Sequence, residues 1–244
     1  MLRLAGIGMS FGGLQVLRDI DFEVGAQQIA GLIGPNGAGK STCFNIVTSI
    51  YRPDAGEVRL HGRRISGMRP DRICRLGVAR TFQLVRTFQQ MSALQNVLVG
   101  AIYGRRGPAA QAQRIARDAL ERVGLGAQGE RLAAHLTLSD RRMLEIARAL
   151  ATQPEVLLLD EPMAGLNAAE IEQMARTIQR IRDELRISVL WVEHKVDAIM
   201  RVCDRVVVLD QGRKIADGAP AEVVANPAVI EAYLGEPVAR DQRT

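Results

Sequence analysis

The segment GPNGAGKST at residues 34–42 constrains the fold of this chain more than any other stretch of the sequence. It matches the pattern G-x-x-x-x-G-K-[ST], and the short apolar run Ile29–Ile33 before it is typical of a buried parallel strand. The run Cys43–Val47 after it can continue as a helix. A strand, a glycine-rich turn and a helix in this order predict a phosphate-binding loop. The alternative, a glycine turn without a ligand, would not need every fixed position of the pattern.

The residue types of this loop suit the phosphates of a nucleotide. Its glycines let the backbone turn tightly, so that N–H groups and the N-terminus of the helix can face an anion. Lys40 can reach the β- and γ-phosphates, and the hydroxyl of Ser41 can ligate Mg²⁺. We therefore predict that the nucleotide is bound by the whole loop, namely Gly34, Pro35, Asn36, Gly37, Ala38, Gly39, Lys40, Ser41 and Thr42.

The composition limits the class of protein. With 244 residues, 47% of them apolar, the chain can bury a sizeable core. No apolar run approaches the roughly 20 residues of a membrane-spanning helix, and the N-terminus has no apolar signal-peptide core, so the expected compartment is the cytoplasm. The scattered cysteines Cys43, Cys74 and Cys203 argue against a zinc site and a disulfide framework. The net charge of +5 permits contact with nucleic acid or an anionic membrane. However, no stretch alternates basic with aromatic residues, so we predict no nucleic-acid partner.

Strands are predicted on both sides of the loop. Residues 2–10 and 14–24 form a pair around Phe11, and a hairpin follows the loop at 58–65. These segments predict an N-terminal antiparallel β part. Phe11 can stack on a nucleotide base with Val16 beside it, or it can belong to the core.

The composition changes between about residues 88 and 136. Helices are predicted at 92–100 and 111–123, with apolar residues on one face of the second. We interpret 88–136 as a helical subdomain inserted into an α/β core. A single domain then spans residues 1–244, with its core at about 1–87 and 137–223 and a C-terminal helix and tail at about 223–244.

Two further buried strands are predicted to end in polar side chains. Val156–Leu159 leads to Asp160 and Glu161, and Ile187–Val192 is followed closely by His194. Ligands of open α/β sheets bind at the carboxyl edge of the strands. Asp160 is placed there to hold Mg²⁺, and Glu161 to orient or deprotonate an attacking water. The alternatives are a plain acidic turn and a structural histidine, although His194 can also contact a terminal phosphate.

In this order the motifs resemble the nucleotide-binding subunits of ABC transporters, and the resemblance covers nearly the whole chain. Residues 34–42 are similar to the Walker A motif of that family, and VLLLDEP at 156–162 is similar to its Walker B motif. Gln83, which ends a predicted strand at 77–83, is similar to the Q-loop glutamine. The resemblance implies an α/β fold: a P-loop (RecA-like) core, an N-terminal antiparallel β part and an inserted helical subdomain. It also implies ATP and Mg²⁺ as cofactors.

The same resemblance implies roles for individual residues. Glu161 would be the catalytic carboxylate, His194 the switch histidine that contacts the γ-phosphate, and Phe11 the aromatic that stacks on adenine. Gln83 would sense the metal and the γ-phosphate and face the membrane subunit. The implied catalytic residues are Glu161, His194, Gln83 and Lys40; the implied metal ligands are Ser41, Gln83 and Asp160; Phe11 and Val16 would also contact the nucleotide.

Four segments are similar to ABC ATPases of the LivG type, which serve branched-chain amino acid importers. They are RTFQLVRTFQQMSALQNVLVG at 80–100, AGLN at 164–167, VEHKVDAIM at 192–200 and NPAVIEAYLGE at 226–236. Importers of urea or short amides carry tails similar to the last segment, so the solute stays open. The resemblance implies a peripheral subunit on the cytoplasmic face of the inner membrane. Its implied partners are membrane permease subunits, a second ABC ATPase subunit in a heterodimer or a second copy in a homodimer, and, indirectly, a periplasmic solute-binding protein.

One segment departs from the family. Where most members have the signature LSGGQ, residues 136–140 are LTLSD, so Leu138 and Ser139 replace two glycines and Asp140 adds a negative charge. In addition, Asn167 replaces the usual aspartate of the D-loop, although LivG-type sequences commonly have asparagine there. We hypothesise an asymmetric heterodimer with one competent and one weak ATP site. The alternatives are that the signature loop tolerates these residues, or that the chain is a divergent paralogue with low activity. Two other functions stay open, a soluble ABC-type ATPase that acts on nucleic acid or ribosomes and a low-turnover regulatory ABC subunit.

Overall fold

A computed structural model describes residues 1–83, 85–104 and 109–234. Its larger sheet contains β3 (Ile29–Ile33), β6 (Val78–Arg80), β7 (Val156–Asp160), β8 (Ser188–Val192), β9 (Arg205–Asp210) and β10 (Arg213–Gly218). The order of the strands is β10-β9-β3-β8-β7-β6. All neighbouring strands from β9 to β6 pair in parallel, and only β10 pairs antiparallel, with β9. Five carboxyl ends therefore lie at one edge of this sheet.

A smaller antiparallel sheet covers one face of the larger one. It contains β1 (Leu2–Phe11), β2 (Leu14–Val24), β4 (Ala55–Leu60) and β5 (Arg63–Arg64), in the order β2-β1-β4-β5. Along β7 the side chains alternate between two apolar cores. Leu158 packs with the antiparallel sheet, whereas Leu157 and Leu159 pack into the core that contains the helices of the other face. The predicted α/β fold with an N-terminal antiparallel β part is confirmed.

Helices connect the strands and pack into the two apolar cores on the faces of the larger sheet. They are α1 (Lys40–Val47), α2 (Pro70–Arg75), α3 (Ala93–Tyr103), α4 (Ala109–Arg122), α5 (Leu138–Leu150), α6 (Ala168–Leu185), α7 (Val196–Val202), α8 (Pro220–Val224) and α9 (Pro227–Leu234). Two short 3₁₀ helices follow α4, at Gly126–Gln128 and Ala133–His135. In the described residues, no helix combines the length and the apolar character needed to cross a bilayer.

The helical region is held together by apolar packing and by polar caps. Helix α3 packs against both α4 and α5. Ser92 begins α3 in a capping box with Gln95. The side chain of Asn96 is fully buried and donates to the carbonyls of Phe88, Met91 and Ser92, which fixes the loop that leads into the helix. The packing of α5 on α3 and α4 crosses the predicted boundary at 136/137, so the domain boundaries stay a prediction.

Two predicted elements have different bounds in the structure. The strand predicted at 77–83 ends at Arg80, so Gln83 lies in the following loop. Helix α5 begins at Leu138, because the Thr137 side chain accepts from the Asp140 N–H and caps it. The single C-terminal helix predicted at about 223–234 is wrong, since two helices, α8 and α9, occupy this region. Pro227 starts the second of them, as suits a residue without an N–H. The predicted tail beyond residue 234 lies outside the described residues.

Candidate active site

The phosphate-loop sequence forms a closed turn between β3 and α1. Gly34, Gly37 and Gly39 all have positive φ, at 147°, 80° and 102°. A Cβ atom on Gly34 would lie 2.0 Å from the carbonyl oxygen of Leu209 in β9, so only glycine lets the base of the loop approach this strand. Gly37 has open space around it, and its glycine is needed for backbone conformation alone.

Lys40 lies inside the loop rather than in solvent. Its ammonium group donates to the carbonyl oxygens of Gly34 at 2.7 Å and Pro35 at 2.9 Å, and only 5% of the residue is exposed. Burial lowers the pKa of Lys40 below its ordinary value of 10.5, although the nearby carboxylates of Glu161 and Asp160 oppose this shift. The Lys40 ammonium group is therefore held by its own loop and lies near two carboxylates.

Glu161 lies at the centre of the carboxyl edge. Its Oε2 accepts from Gln83 Nε2 at 2.9 Å, and its Oε1 is 2.8 Å from Nε2 of His194. Side chains that follow three neighbouring strands, β6, β7 and β8, thus meet at one carboxylate. Glu161 itself has φ +47°, an uncommon backbone conformation for this residue type that is over-represented at functional sites. Its N–H donates to the Val192 carbonyl at 3.0 Å, which ties the turn after β7 to β8.

Asp160 has one occupied and one free carboxylate oxygen. Its Oδ2 accepts from Arg80 Nη2 at 2.6 Å. Its Oδ1 is buried and has no hydrogen-bond partner among the described residues. A buried carboxylate oxygen normally needs a proton donor or a metal. Together with the exposed Ser41 at the start of α1, this oxygen fits a hard divalent cation, which prefers carboxylate and hydroxyl oxygens.

Eleven of the fifteen predicted site residues line one open pocket of about 450 Å³. Its walls are Leu14, Val16, Asn36, Gly37, Ala38, Gly39, Lys40, Ser41, Thr42, Gln83, Glu161 and His194. Phe11, Gly34, Pro35 and Asp160 are not among them. The Phe11 ring lies at the end of β1 against Tyr51, edge to face, with 5.1 Å between the ring centroids. Leu14, which the sequence did not single out, is exposed in the pocket instead.

Buried polar residues that were not predicted support the pocket. Glu193, directly before His194, accepts from the N–H groups of Met163 at 2.7 Å and His194 at 3.2 Å. Burial raises the pKa of Glu193, and the charge of Glu161 acts in the same direction. The only available sequence signal was the acidic residue itself at the end of an apolar strand.

Helix α5 holds the segment around Gln83. Arg142 Nη1 donates to the Gln83 carbonyl at 2.7 Å. Glu145 accepts from the N–H of Arg86 at 2.7 Å, and Arg148 donates to the Arg86 carbonyl at 2.8 Å. The helix that begins in the altered segment 136–140 therefore also positions the loop of the pocket glutamine.

The altered segment itself forms a regular helix start. Leu138, which is 39% exposed, packs against Gly165, where an added Cβ would lie 3.0 Å from its Cδ2. Asp140 occupies the first turn of α5, where the helix dipole stabilises a negative charge. Asn167 caps α6 through a capping box with Glu170, a role that aspartate also fulfils.

Comparisons with known proteins extend these observations to whole sequences. A family model described as ABC transporter matches residues 17–164, and one described as branched-chain amino acid ATP-binding cassette transporter matches residues 213–239. The chain is 42% identical to the high-affinity branched-chain amino acid transport ATP-binding protein LivG of Salmonella typhimurium, over 97% of this chain and 98% of LivG. It is 40% identical, with the same coverage, to BraF of Pseudomonas aeruginosa, which carries the same description. The crystal structure of a nucleotide-free ATP-binding cassette from an ABC transporter superposes with a TM-score of 0.88 at 28% identity, covering 97% of this chain and 99% of that one.

Proposed function

The chain belongs to the ABC transporter family of ATP-hydrolysing cassettes, as its motifs indicated, and we propose that it energises a branched-chain amino acid importer. The observation that carries this proposal is the identity of 42% to LivG over 97% of the chain, joined to a pocket whose wall contains all the predicted motif residues except Phe11, Gly34, Pro35 and Asp160. The chain then acts as a peripheral subunit on the cytoplasmic face of the inner membrane. It works with permease subunits and, through them, with a periplasmic solute-binding protein. This proposal is favoured over a soluble ATPase acting on nucleic acid or ribosomes.

The loop residues 34–42 bind the phosphates of ATP through backbone N–H groups and Lys40. Val16 packs beside the base, and Phe11 reaches it by turning away from Tyr51. Ser41, Asp160 and Gln83 would hold Mg²⁺, which would neutralise the negative charge that develops on the phosphates.

Glu161 is the group that orients and deprotonates the attacking water. Gln83 and His194 hold its two oxygens, so the carboxylate is fixed in the wall of the pocket that the loop also lines. As ATP binds, His194 turns to the γ-phosphate, and Lys40 with His194 stabilises the charge that develops there. Only 8% of Glu161 is exposed, which limits competing contacts with bulk water.

Replacing Glu161 by Gln tests this assignment. The change keeps the size and one acceptor oxygen but removes the base, so we expect turnover to fall by at least about 100-fold while ATP affinity changes by less than about threefold. Glu184→Gln is the matched control, because Glu184 is a surface carboxylate in α6 that pairs with Arg122. Steady-state phosphate release and equilibrium binding of a fluorescent ATP analogue measure the two quantities. Wild-type turnover in a folded Glu161→Gln protein would contradict the assignment.

The solute is tested in proteoliposomes that contain this chain with its cognate permeases and binding protein. We expect ATP-dependent uptake of labelled leucine, isoleucine or valine, and no uptake of urea or acetamide. The Glu161→Gln complex serves as the control for uptake that does not depend on hydrolysis. Uptake of the amides alone would replace the proposed solute and keep the ATPase assignment.

The permeases are proposed to dock on an apolar groove beside the Q-loop. This groove has a volume of about 330 Å³ and is lined in part by Ile50, Phe82 and Tyr103, all exposed. Further exposed apolar surface comes from Ile102, the neighbour of Tyr103, and from Phe88, whose ring centroid lies 5.6 Å from the guanidinium carbon of the groove residue Arg148. Apolar residues gathered at one surface indicate a protein contact. Tyr103→Asp is expected to abolish co-purification with the permeases and leave ATP binding by the isolated chain unchanged; retained co-purification would contradict this docking surface.

We further propose that the functional dimer is asymmetric. In such a dimer each ATP lies between the Walker motifs of one chain and the signature segment of the other. This chain offers its own ATP an intact pocket, but it would offer the partner's ATP the side chains of Leu138 and Ser139 and the charge of Asp140. Since Asp140 occupies the first turn of α5, it competes with a phosphate for the helix N-terminus.

The test is to substitute Leu138→Gly, Ser139→Gly and Asp140→Gln together. In a complex that also carries Glu161→Gln, all remaining hydrolysis comes from the partner's site. We expect the triple substitution to raise this remaining turnover several-fold, whereas an unchanged rate would count against the asymmetric dimer. A homodimer would instead lose all turnover with Glu161→Gln, which distinguishes the two assemblies.

A further inference from the structure

Arg80 is a buried arginine at the end of β6, three residues before Gln83. Its Nη2 donates to Asp160 Oδ2 at 2.6 Å, and its Nη1 donates to Asn45 Oδ1 at 2.7 Å. Arg80 and Asp160 expose only 7% and 4% of their side chains. The guanidinium therefore joins the end of β7, the phosphate-loop helix α1 and the strand that leads to the pocket glutamine.

Aromatic rings fix the guanidinium further. Its central carbon lies 5.4 Å from the ring centroid of Phe44 in α1 and 5.2 Å from that of Phe82. Arginine suits this position because its planar fork can donate in two directions and stack on aromatic rings at the same time, whereas a lysine ammonium cannot. The orientation of the Asp160 carboxylate is thus determined by a group that is itself restrained from several sides.

The contact also selects which oxygen of Asp160 stays free. Arg80 donates to Oδ2, and the backbone N–H of Asp160 donates to Thr81 Oγ1 at 3.2 Å. The side chain and the backbone of Asp160 are therefore both held by hydrogen bonds. Oδ1 remains buried without a partner among the described residues. The negative charge of Asp160 opposes the lowering of the Lys40 pKa by burial, so this carboxylate also interacts electrostatically with the phosphate loop.

We propose that Arg80 is a positioning residue for metal binding: it holds Asp160 so that Oδ1 is presented to the divalent cation of bound ATP. This inference rests on the proposed role of Asp160. Without Arg80, the Asp160 carboxylate would lose its buried ion-pair partner and would be free to rotate away from the site. Such a rotation would remove a cation ligand without touching the residues that contact the phosphates directly.

The test compares nucleotide affinity with and without magnesium. For wild type, Arg80→Met and Arg80→Lys, the dissociation constant of a fluorescent ADP or ATP analogue is measured in EDTA and in excess Mg²⁺. We expect the affinity of Arg80→Met in EDTA to stay within about threefold of wild type. The gain from Mg²⁺, which is the factor by which Mg²⁺ raises the affinity, should be about tenfold smaller than in wild type, or smaller still. Arg80→Lys should recover part of the gain. The electron paramagnetic resonance spectrum of bound Mn²⁺·ADP should change in parallel.

Arg205→Met is the matched control for the loss of an arginine ion pair. Arg205 pairs with Asp217, also at 2.6 Å, and lies away from the pocket, so its loss should lower the melting temperature without changing the gain from Mg²⁺. If Arg80→Met does not unfold cooperatively, Arg80→Gln takes its place, because its amide can still form hydrogen bonds in the buried site. A wild-type gain and Mn²⁺ spectrum in the folded variant would show that Arg80 is only a structural residue. A wild-type protein with no gain from Mg²⁺ would instead overturn the proposed role of Asp160 as well.

Discussion

Substituting Gly34 by Ala should disrupt the molecule at the base of its phosphate loop. The φ of Gly34 is 147°, a backbone conformation that L-residues with a side chain rarely adopt. The added Cβ would lie 2.0 Å from the Leu209 carbonyl oxygen, whereas real Cβ contacts essentially never fall below 3.0 Å. The loop and β9 must therefore separate by about 1 Å, and both are backbone, so no side chain can rotate to make room.

The cost can be worked out from two contributions. A positive φ at a non-glycine residue costs about 1–3 kcal/mol. Forcing apart closely packed backbone costs about another 1–3 kcal/mol. We expect the free energy of unfolding to fall by about 2–6 kcal/mol, a large part of the 5–15 kcal/mol that is usual for a domain. In the protein that remains folded, a loop displaced by about 1 Å should reduce turnover on the order of 100-fold.

Gly67→Ala supplies the comparison. Gly67 also has a positive φ, at 77°, but an added Cβ would meet nothing within 4 Å, and the residue lies outside the pocket. The substitution Gly67→Ala should therefore lower the free energy of unfolding only by the cost of the positive φ, about 1–2 kcal/mol, and leave turnover unchanged. Urea denaturation of both variants, with a check that the m-value is constant, measures the difference. Equal destabilisation by the two substitutions would refute the argument from the Leu209 contact.

Two further predictions concern pH. Because burial places the pKa of Lys40 below 10.5 and bound phosphates favour the charged ammonium, nucleotide affinity should fall as the pH rises through that lowered pKa. Calorimetric titrations at a series of alkaline pH values up to 10.5, in buffers of different ionisation enthalpy, should show proton uptake on binding, and no uptake across the series would contradict the shift. Because burial raises the pKa of Glu193 above 4.5, the folded state binds this proton more tightly, so the stability that Glu193 contributes is complete below pH 4.5 and is lost as the pH rises through the raised pKa. The unfolding free energy of wild type minus that of Glu193→Gln should therefore fall from pH 4 to pH 7, and a constant difference would argue against a buried, protonatable carboxyl.

The sequence predicted best those features whose cause is local. The strand Ile29–Ile33 has the predicted bounds, because an apolar run stopped by the obligatory Gly34 leaves little freedom. Asp160, Glu161 and His194 also lie at the predicted edge, because parallel strands deliver their ends to one side of a sheet.

The contacts of the pocket could not be predicted in the same way. Arg80 and Glu193 show no periodicity or motif that indicates burial, and charged residues are mostly exposed. Their partners lie 80 and 30 residues away, at Asp160 and Met163. Such pairs follow from the register of β6, β7 and β8, which only the folded sheet determines.

Helix α5 links the two ATP sites of the proposed dimer, and the position of the sequence change along it is informative. The departures from the family lie at its first residues, 138–140, which would face the partner's ATP. Arg142, Glu145 and Arg148, which hold the loop around Gln83, follow two to eight residues after Asp140. These contacts are present although the segment before them departs from the family pattern. In the proposed dimer, the change would therefore affect the partner's site and spare this chain's own pocket, which is the asymmetry that the triple substitution measures.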